Sequence, residues 1–180
     1  GYSYWPAPAK LNLELRILGR RDDGYHDLQT LFQLLDCGDD IWVKPNDSGQ
    51  VTLQSEYDEV PSDDNLIIKA ARALEPFKGE HQGADIRLNK KLPSGAGLGG
   101  GSSDAATTLV ALNQLWDIKL PNEKLCELGK SLGADVPVFV KGKTAWAEGI
   151  GEILTETEVP EKWYLIVYPD VKINTSKIFM

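Results

Sequence analysis

Residues 91–112, KLPSGAGLGGGSSDAATTLVAL, hold five glycines between Gly95 and Gly101, and an apolar helical pattern follows them directly. Glycine costs backbone entropy, so such a run is kept where close approach or left-handed backbone is needed. A glycine loop that opens a helix exposes several backbone N–H groups at the positive end of the helix dipole. Without Cβ atoms in the way, those amides can converge on a phosphate chain. Ser102 and Ser103 can cap the helix, donate to a phosphate or reach Mg²⁺. The stretch from Gly95 to Gly100 also fits G-x-G-x-x-G, which alone is weak evidence. A dinucleotide fingerprint wants a strongly apolar strand ending in the motif, whereas the strand here is amphipathic and Pro93 intervenes. A protein-kinase glycine loop should be followed by HRD and DFG, and a Walker A loop should end in GK[ST]; none of these is present. A phosphate-binding loop and a purely structural turn both stand at this point.

The elements that must carry this loop are legible in outline. AKLNLELRIL alternates apolar and polar residues, which predicts a half-buried strand over 9–18. LQTLFQLLD to DDIWVKP and then VTLQSEY, joined by the turn PNDSGQ, suggest an antiparallel meander. SDDNLIIKAARALEPF reads as a helix capped by Asp63 or Asp64, with Pro76 near its end. ADIRLNKKLP is a strand, and a helix runs from about Ser102 to Trp116. PNEKLCELGKSLG is a third helix with Asn122 as N-cap and Gly133 at C′. DVPVFVKGKTAWAEGIGEILTET predicts short strands, and KWYLIVYP a buried one. The five tryptophans are read as core or half-buried packing. Strands and helices mix without strict βαβ alternation, so the class is α+β.

Composition narrows the partners. With 180 residues there is one ordinary domain, or one plus part of another. A net charge of −8 argues against nucleic acid, whose binding rests on lysine and arginine. It leaves room for a phosphorylated small molecule at a local positive site. Cys37 and Cys126 have no metal-ligand spacing and are read as reduced thiols. No apolar run reaches membrane-spanning length, and the first ten residues have no signal-peptide pattern. The expected setting is therefore cytoplasmic, with neither nucleic-acid nor membrane partner, as a monomer or weak dimer.

The block LPSGAGLGGGSSDAA resembles the central motif of the GHMP kinases, Pro-x-x-x-Gly-Leu-Gly-Ser-Ser-Ala. Pro93, Gly97, Leu98 and Gly99 fit it directly, while Gly100 and Gly101 widen the loop and Asp104 precedes Ala105. PAPAKLNL, DGYHDLQTLFQLLD, DNLI and LGADVPVF, in that order, are similar to the branch of the family that acts on 4-diphosphocytidyl-2-C-methyl-D-erythritol in the non-mevalonate route to isoprenoids. The resemblance implies a mixed sheet with helices and a left-handed βαβ crossover. It implies ATP, with Mg²⁺, as phosphoryl donor and the 2-hydroxyl of that cytidine-diphosphate methylerythritol as acceptor, in a bacterial cytoplasm or a plastid-type stroma. Carried over position by position, it makes Lys10 and Asp135 catalytic, Asp135 as the base toward the hydroxyl. Pro93, Ser94, Gly95, Ala96, Gly97, Leu98, Gly99, Gly100, Gly101, Ser102 and Ser103 would hold the nucleotide phosphates, and Asn65, Leu66 and Lys90 would lie near the adenosine. Tyr25 and His26 would recognise cytosine with Phe179 on its other face, and Asn12 and Thr175 would contact polar groups of the substrate. No residue is assigned as a dedicated metal ligand. The expected division is an N-terminal domain over 1–155 and the start of an incomplete second domain over 156–180, with apolar surface exposed around 165–167. A non-catalytic nucleotide-binding fragment, or a GHMP kinase for another alcohol, would share much of this sequence.

Overall fold

The computed structural model describes residues 1–56 and 62–168. Two long strands, β1 (Ser3–Arg20) and β2 (His26–Asn46), pair antiparallel along most of their length. The pairing shifts register between Pro8 and Lys10, because Pro8 faces Gly38 while Lys10 faces Leu34. Such an irregularity re-aims side chains. Here it lets the consecutive residues Ala9 and Lys10 both be buried, which strict alternation would forbid.

The meander expectation fails at the third strand. β3 (Val51–Ser55) does not return along β2; it runs parallel to β4 (Gly83–Asn89), and β4 is the strand that pairs with β2. The order is β3-β4-β2-β5-β6 with β1 on β2, where β5 is Ala145–Glu148 and β6 is Ile153–Glu156. A parallel pair needs a crossover, and helix α1 (Leu66–Ala73) supplies it. The result is a mixed sheet with helices, as expected. The cap of α1 is Asn65, whose side chain accepts from Ile67 N; Asp63 and Asp64 form a short 3₁₀ turn before it.

Helix α2 (Gly100–Leu115) is the central element. Ser103, Asp104, Ala105, Ala106, Thr108, Leu109, Ala111 and Leu112 are all buried, so it is enclosed by α1, β1, β2, α3 and α4. Helix α3 (Asn122–Leu132) has Pro121, not Asn122, at its N-cap. Gly133 is its C-cap with φ 176°, which is extended and not the left-handed C′ conformation.

The expected strand at VPVFV is a helix, α4 (Val136–Lys141). Pro137 sits in its first turn, where proline is tolerated, and Gly142 closes it at φ 67°. Its residues from Val136 to Val140 are all buried, so packing on α2 and α3 outweighs their β-branched preference. The expected strand at KWYLIVYP is also not formed within the described residues: 157–168 has no regular structure. Trp163 is 99% exposed and Leu165 93%, which overturns the reading of Trp163 as packing. Trp116 is buried; Trp5, Trp42 and Trp146 are half-buried.

Candidate active site

Lys10 is buried where β1 crosses the start of α2, with 5% of its surface exposed. A buried ammonium needs compensation. Its Nζ lies 3.1 Å from Asp135 Oδ2, donates to Asn12 Oδ1 at 2.6 Å, and sits 5.3 Å from the centre of the Phe32 ring. Asn12 is oriented in turn by donating to Thr30 Oγ1 at 2.7 Å, and Thr30 donates to the Glu14 carbonyl at 2.6 Å. Asp135 is the N-cap residue of α4, its side chain 31% exposed. One carboxylate oxygen therefore meets the lysine while the group remains open to solvent. A positive group and an acceptor 3.1 Å apart suit the removal of a hydroxyl proton with nearby stabilisation of developing negative charge.

The glycine loop is fastened to the same place. Lys10 N donates to Leu98 O at 2.9 Å, and Leu98, Leu92 and Ala9 form a small apolar cluster of their own. Between those two leucines the chain swings outward. Gly95 and Gly97 have φ of 73° and 76°, and nothing lies within 4 Å of where a Cβ would stand on either. Gly99 faces inward: a Cβ there would fall 2.8 Å from Phe139 Cζ and 3.1 Å from Lys10 Cε, at φ 72°. The loop thus presents an open outer edge and ends, through Gly99, against the catalytic candidate Lys10.

Ser102 and Ser103 lie inside the first turn of α2 and cap nothing; the N-cap residue is Gly99. Ser103 Oγ is buried without a hydrogen-bond partner. Leu66 touches the loop, 3.4 Å from a Cβ on Gly101, and so brings Asn65 close to it. Lys90 lies beneath the loop, its Nζ 2.5 Å from Asp39 Oδ2 and 2.9 Å from Asp104 Oδ2. Burial lowers the Lys90 pKa and its two carboxylate neighbours more than offset that, so it lies above the ordinary lysine value. Burial, reinforced by Asp39, pushes Asp104 up to about 7 despite Lys90.

Tyr25 and His26 are not at this centre. Tyr25 is 58% exposed in the turn between β1 and β2, and His26 begins β2 opposite Arg20. Asn12 faces Phe32, six residues further along β2, so the turn lies roughly 20 Å away along the ribbon. Thr175 and Phe179 fall outside the described residues. Among the described residues no three His, Cys, Asp or Glu side chains gather to hold a metal ion, and no helix is long and apolar enough to cross a membrane.

Sequence reasoning did not single out Thr30, Phe32, Phe139 or Asp39. A signal existed for Asp39. Asp39-Asp40 interrupts an apolar strand, and Lys90-Lys91 stands at the end of another. The four pair off as Lys90 with Asp39 and Lys91 with Asp40, the latter at 2.6 Å.

Residues 65–143 match the family model of the GHMP kinases N terminal domain. The 4-diphosphocytidyl-2-C-methyl-D-erythritol kinase of Shewanella loihica is 59% identical over 97% of this chain, which spans 62% of that relative. Over residues 65–143 the chain resembles a GHMP kinase N-terminal domain. The kinase of the same name from Pseudomonas aeruginosa is 58% identical, with the same shares covered. A crystal structure of a 4-(cytidine 5'-diphospho)-2C-methyl-D-erythritol kinase superposes with a TM-score of 0.76 at 42% identity, over 88% of this chain and 56% of that one. The mevalonate kinase of Methanococcus jannaschii, at 14% identity and a TM-score of 0.62, shares the fold. The matched segment runs from the cap of α1 to just past α4 and contains the glycine loop and Asp135, while Lys10 comes from β1, outside it.

Proposed function

We propose that this chain is the nucleotide- and substrate-binding part of a kinase that transfers the γ-phosphoryl group of ATP to the 2-hydroxyl of 4-diphosphocytidyl-2-C-methyl-D-erythritol. One observation carries the reading: Gly99 of the glycine loop packs on the same Lys10 that pairs with Asp135. A phosphate cradle and an acceptor–cation pair at one place are what phosphoryl transfer needs, since the rest is positioning and charge stabilisation. Asp135 takes the hydroxyl proton, the alkoxide oxygen forms the new P–O bond, and the bond to the leaving ADP breaks. Lys10 stands beside the charge that develops, and Asn12 holds Lys10 and the substrate's polar groups.

ATP fits the open edge of the loop from Pro93 to Gly97, with the α2 N-terminus beyond it and Asn65 and Leu66 flanking. Mg²⁺ would arrive with the triphosphate and screen its charge. The roughly 20 Å between Asn12 and the Tyr25-His26 turn suits an elongated substrate, with the base at the turn and the hydroxyl at Asp135. Residues 1–155 form the binding domain in this reading, residues 156–180 lead into a second one, and the protein works in the cytoplasm as a monomer or weak dimer.

A coupled ADP-release assay with this substrate and Mg-ATP tests the proposal, alongside ATP affinity. Asp135→Ala should lower turnover by about 10² to 10⁴-fold and leave ATP affinity near wild type. ATP binding without turnover in the unaltered 180-residue chain would favour a nucleotide-binding fragment, in keeping with the 62% of its relatives that it spans. No ATP binding at all would refute the assignment of the loop.

A further inference from the structure

The two ends of the glycine loop are tied to one buried carboxylate. Asp39, whose side chain is fully buried, accepts through Oδ1 from Lys91 N at 2.6 Å and from Leu92 N at 2.8 Å, which fixes the backbone entering the loop. Its Oδ2 takes Lys90 Nζ at 2.5 Å, and the same ammonium reaches Asp104 Oδ2 at 2.9 Å, just past the first turn of α2, which the loop leads into. Between them lies Gly100, where a Cβ would stand 2.8 Å from Lys90 Nζ and 3.4 Å from Asp39 Oδ2.

We propose that Asp39, Lys90 and Asp104 form a positioning unit that sets the direction of the loop's amides toward phosphate, with Lys90 as its pivot. The inference rests on the nucleotide reading above but concerns residues that act through the loop. Burying two carboxylates and one ammonium is a poor way to gain stability, since desolvation offsets most of the attraction. What the arrangement supplies is geometry: short charged bonds from β2 to the end of β4 and on to the start of α2. Either end of the loop could otherwise shift, and a displacement of about 1 Å at a transfer site costs about 10²-fold. The glycines then divide by role. Gly95 and Gly97 keep the outer edge clear for a ligand, Gly99 clears Phe139 and Lys10, and Gly100 makes room for the lysine beneath.

Amide hydrogen exchange without nucleotide, compared with ATP affinity by calorimetry, tests this in the 180-residue chain. Lys90→Met should speed exchange of the 92–101 amides selectively, leave the sheet and α3 amides as in wild type, and weaken ATP binding about 10- to 100-fold. Lys90→Arg, which keeps the charge, should recover part of both. Loop exchange and affinity within about twofold of wild type in Lys90→Met would overturn the proposal, as would acceleration spread evenly over the whole chain. Should Lys90→Met not fold, Gly100→Ala pushes on the lysine from the other side and must also speed loop exchange selectively; unchanged loop exchange there overturns the proposal. Wild-type protein that binds no ATP would instead sink the nucleotide reading, while the nucleotide-free exchange comparison still decides the positioning unit.

Discussion

Asp104 should make the protein less stable as pH rises, and Asp104→Asn should remove that dependence. The carboxyl is raised from 3.8 to about 7, burial being the largest cause and Asp39 a further one, against the opposing pull of Lys90. Below about pH 4 it is protonated in both folded and unfolded chains. Between about pH 4 and 7 the unfolded chain releases the proton and the folded one keeps it, so folded protein binds more protons and stability falls with rising pH. Above about pH 7 the loss is complete. About three decades of proton affinity at about 1.4 kcal/mol each make the full swing about 4 kcal/mol. An asparagine side chain has the shape of the neutral acid and cannot ionise. The two proteins should therefore be similarly stable at about pH 4, and the variant more stable by up to about 4 kcal/mol at about pH 8. The pKa of Lys90 is raised, so its linkage lies on the alkaline side, outside this window. Urea unfolding followed by tryptophan fluorescence at several pH values measures the difference; buried Trp116 reports it, while Trp163 is already exposed. A stability difference that stays flat from about pH 4 to 8 would refute the reasoning.

Gly99→Ala should destabilise by about 2–3 kcal/mol, because it combines left-handed backbone with a ring 2.8 Å from the new methyl; Gly95→Ala, at similar φ but in open space, should cost about 1 kcal/mol, both by chemical denaturation. Thr30→Val removes the hydroxyl that links Asn12 to Glu14 O, so it should cost about 1–3 kcal/mol and slow turnover by loosening Lys10. Leu165→Lys, at a side chain 93% exposed beside exposed Trp163 and Val167, should reduce concentration-dependent self-association seen by light scattering and leave the melting temperature within a few degrees.

The sequence was most readable where one residue's type serves one local purpose. The alternation of Leu11, Leu13, Leu15 and Ile17 announced the extended backbone of β1 but not its setting, since Leu13, Leu15 and Ile17 are exposed and the strand's buried residues all lie in its first half. The glycines before an apolar helical pattern announced the loop and α2. It was less readable where tertiary partners decide. VPVFV is as good a strand by composition as any in the chain, yet it is helical because every one of its residues is buried against α2 and α3 and Gly142 stops it. β3 is separated from β2 because β4 takes the place beside it, a choice made by strand pairing roughly 30 residues later. Asn65 displaced Asp63 and Asp64 as the cap by reaching Ile67 N, a matter of one residue's register.

The site divides along the same line. Lys10, Asp135 and the loop carry recognisable motifs, as the proposed phosphoryl transfer would require of groups that touch substrate directly, and the fold brings Lys10 from β1 to within 3.1 Å of Asp135 at α4, far along the chain. Thr30, Phe32 and Asp39 act through those residues, and their constraint is only that something of that shape and charge stand at one point in space. Asp39 shows how faint such a signal is: a doubled aspartate on β2 gains meaning only when set beside the doubled lysine that ends β4, and only the register Asp40↔Asn89 brings the two pairs level. Alternation along the strand then sends Asp39 inward to Lys90 and Asp40 outward to Lys91. A charge pattern that says nothing on either strand alone becomes, once the strands are adjacent, the footing of the glycine loop.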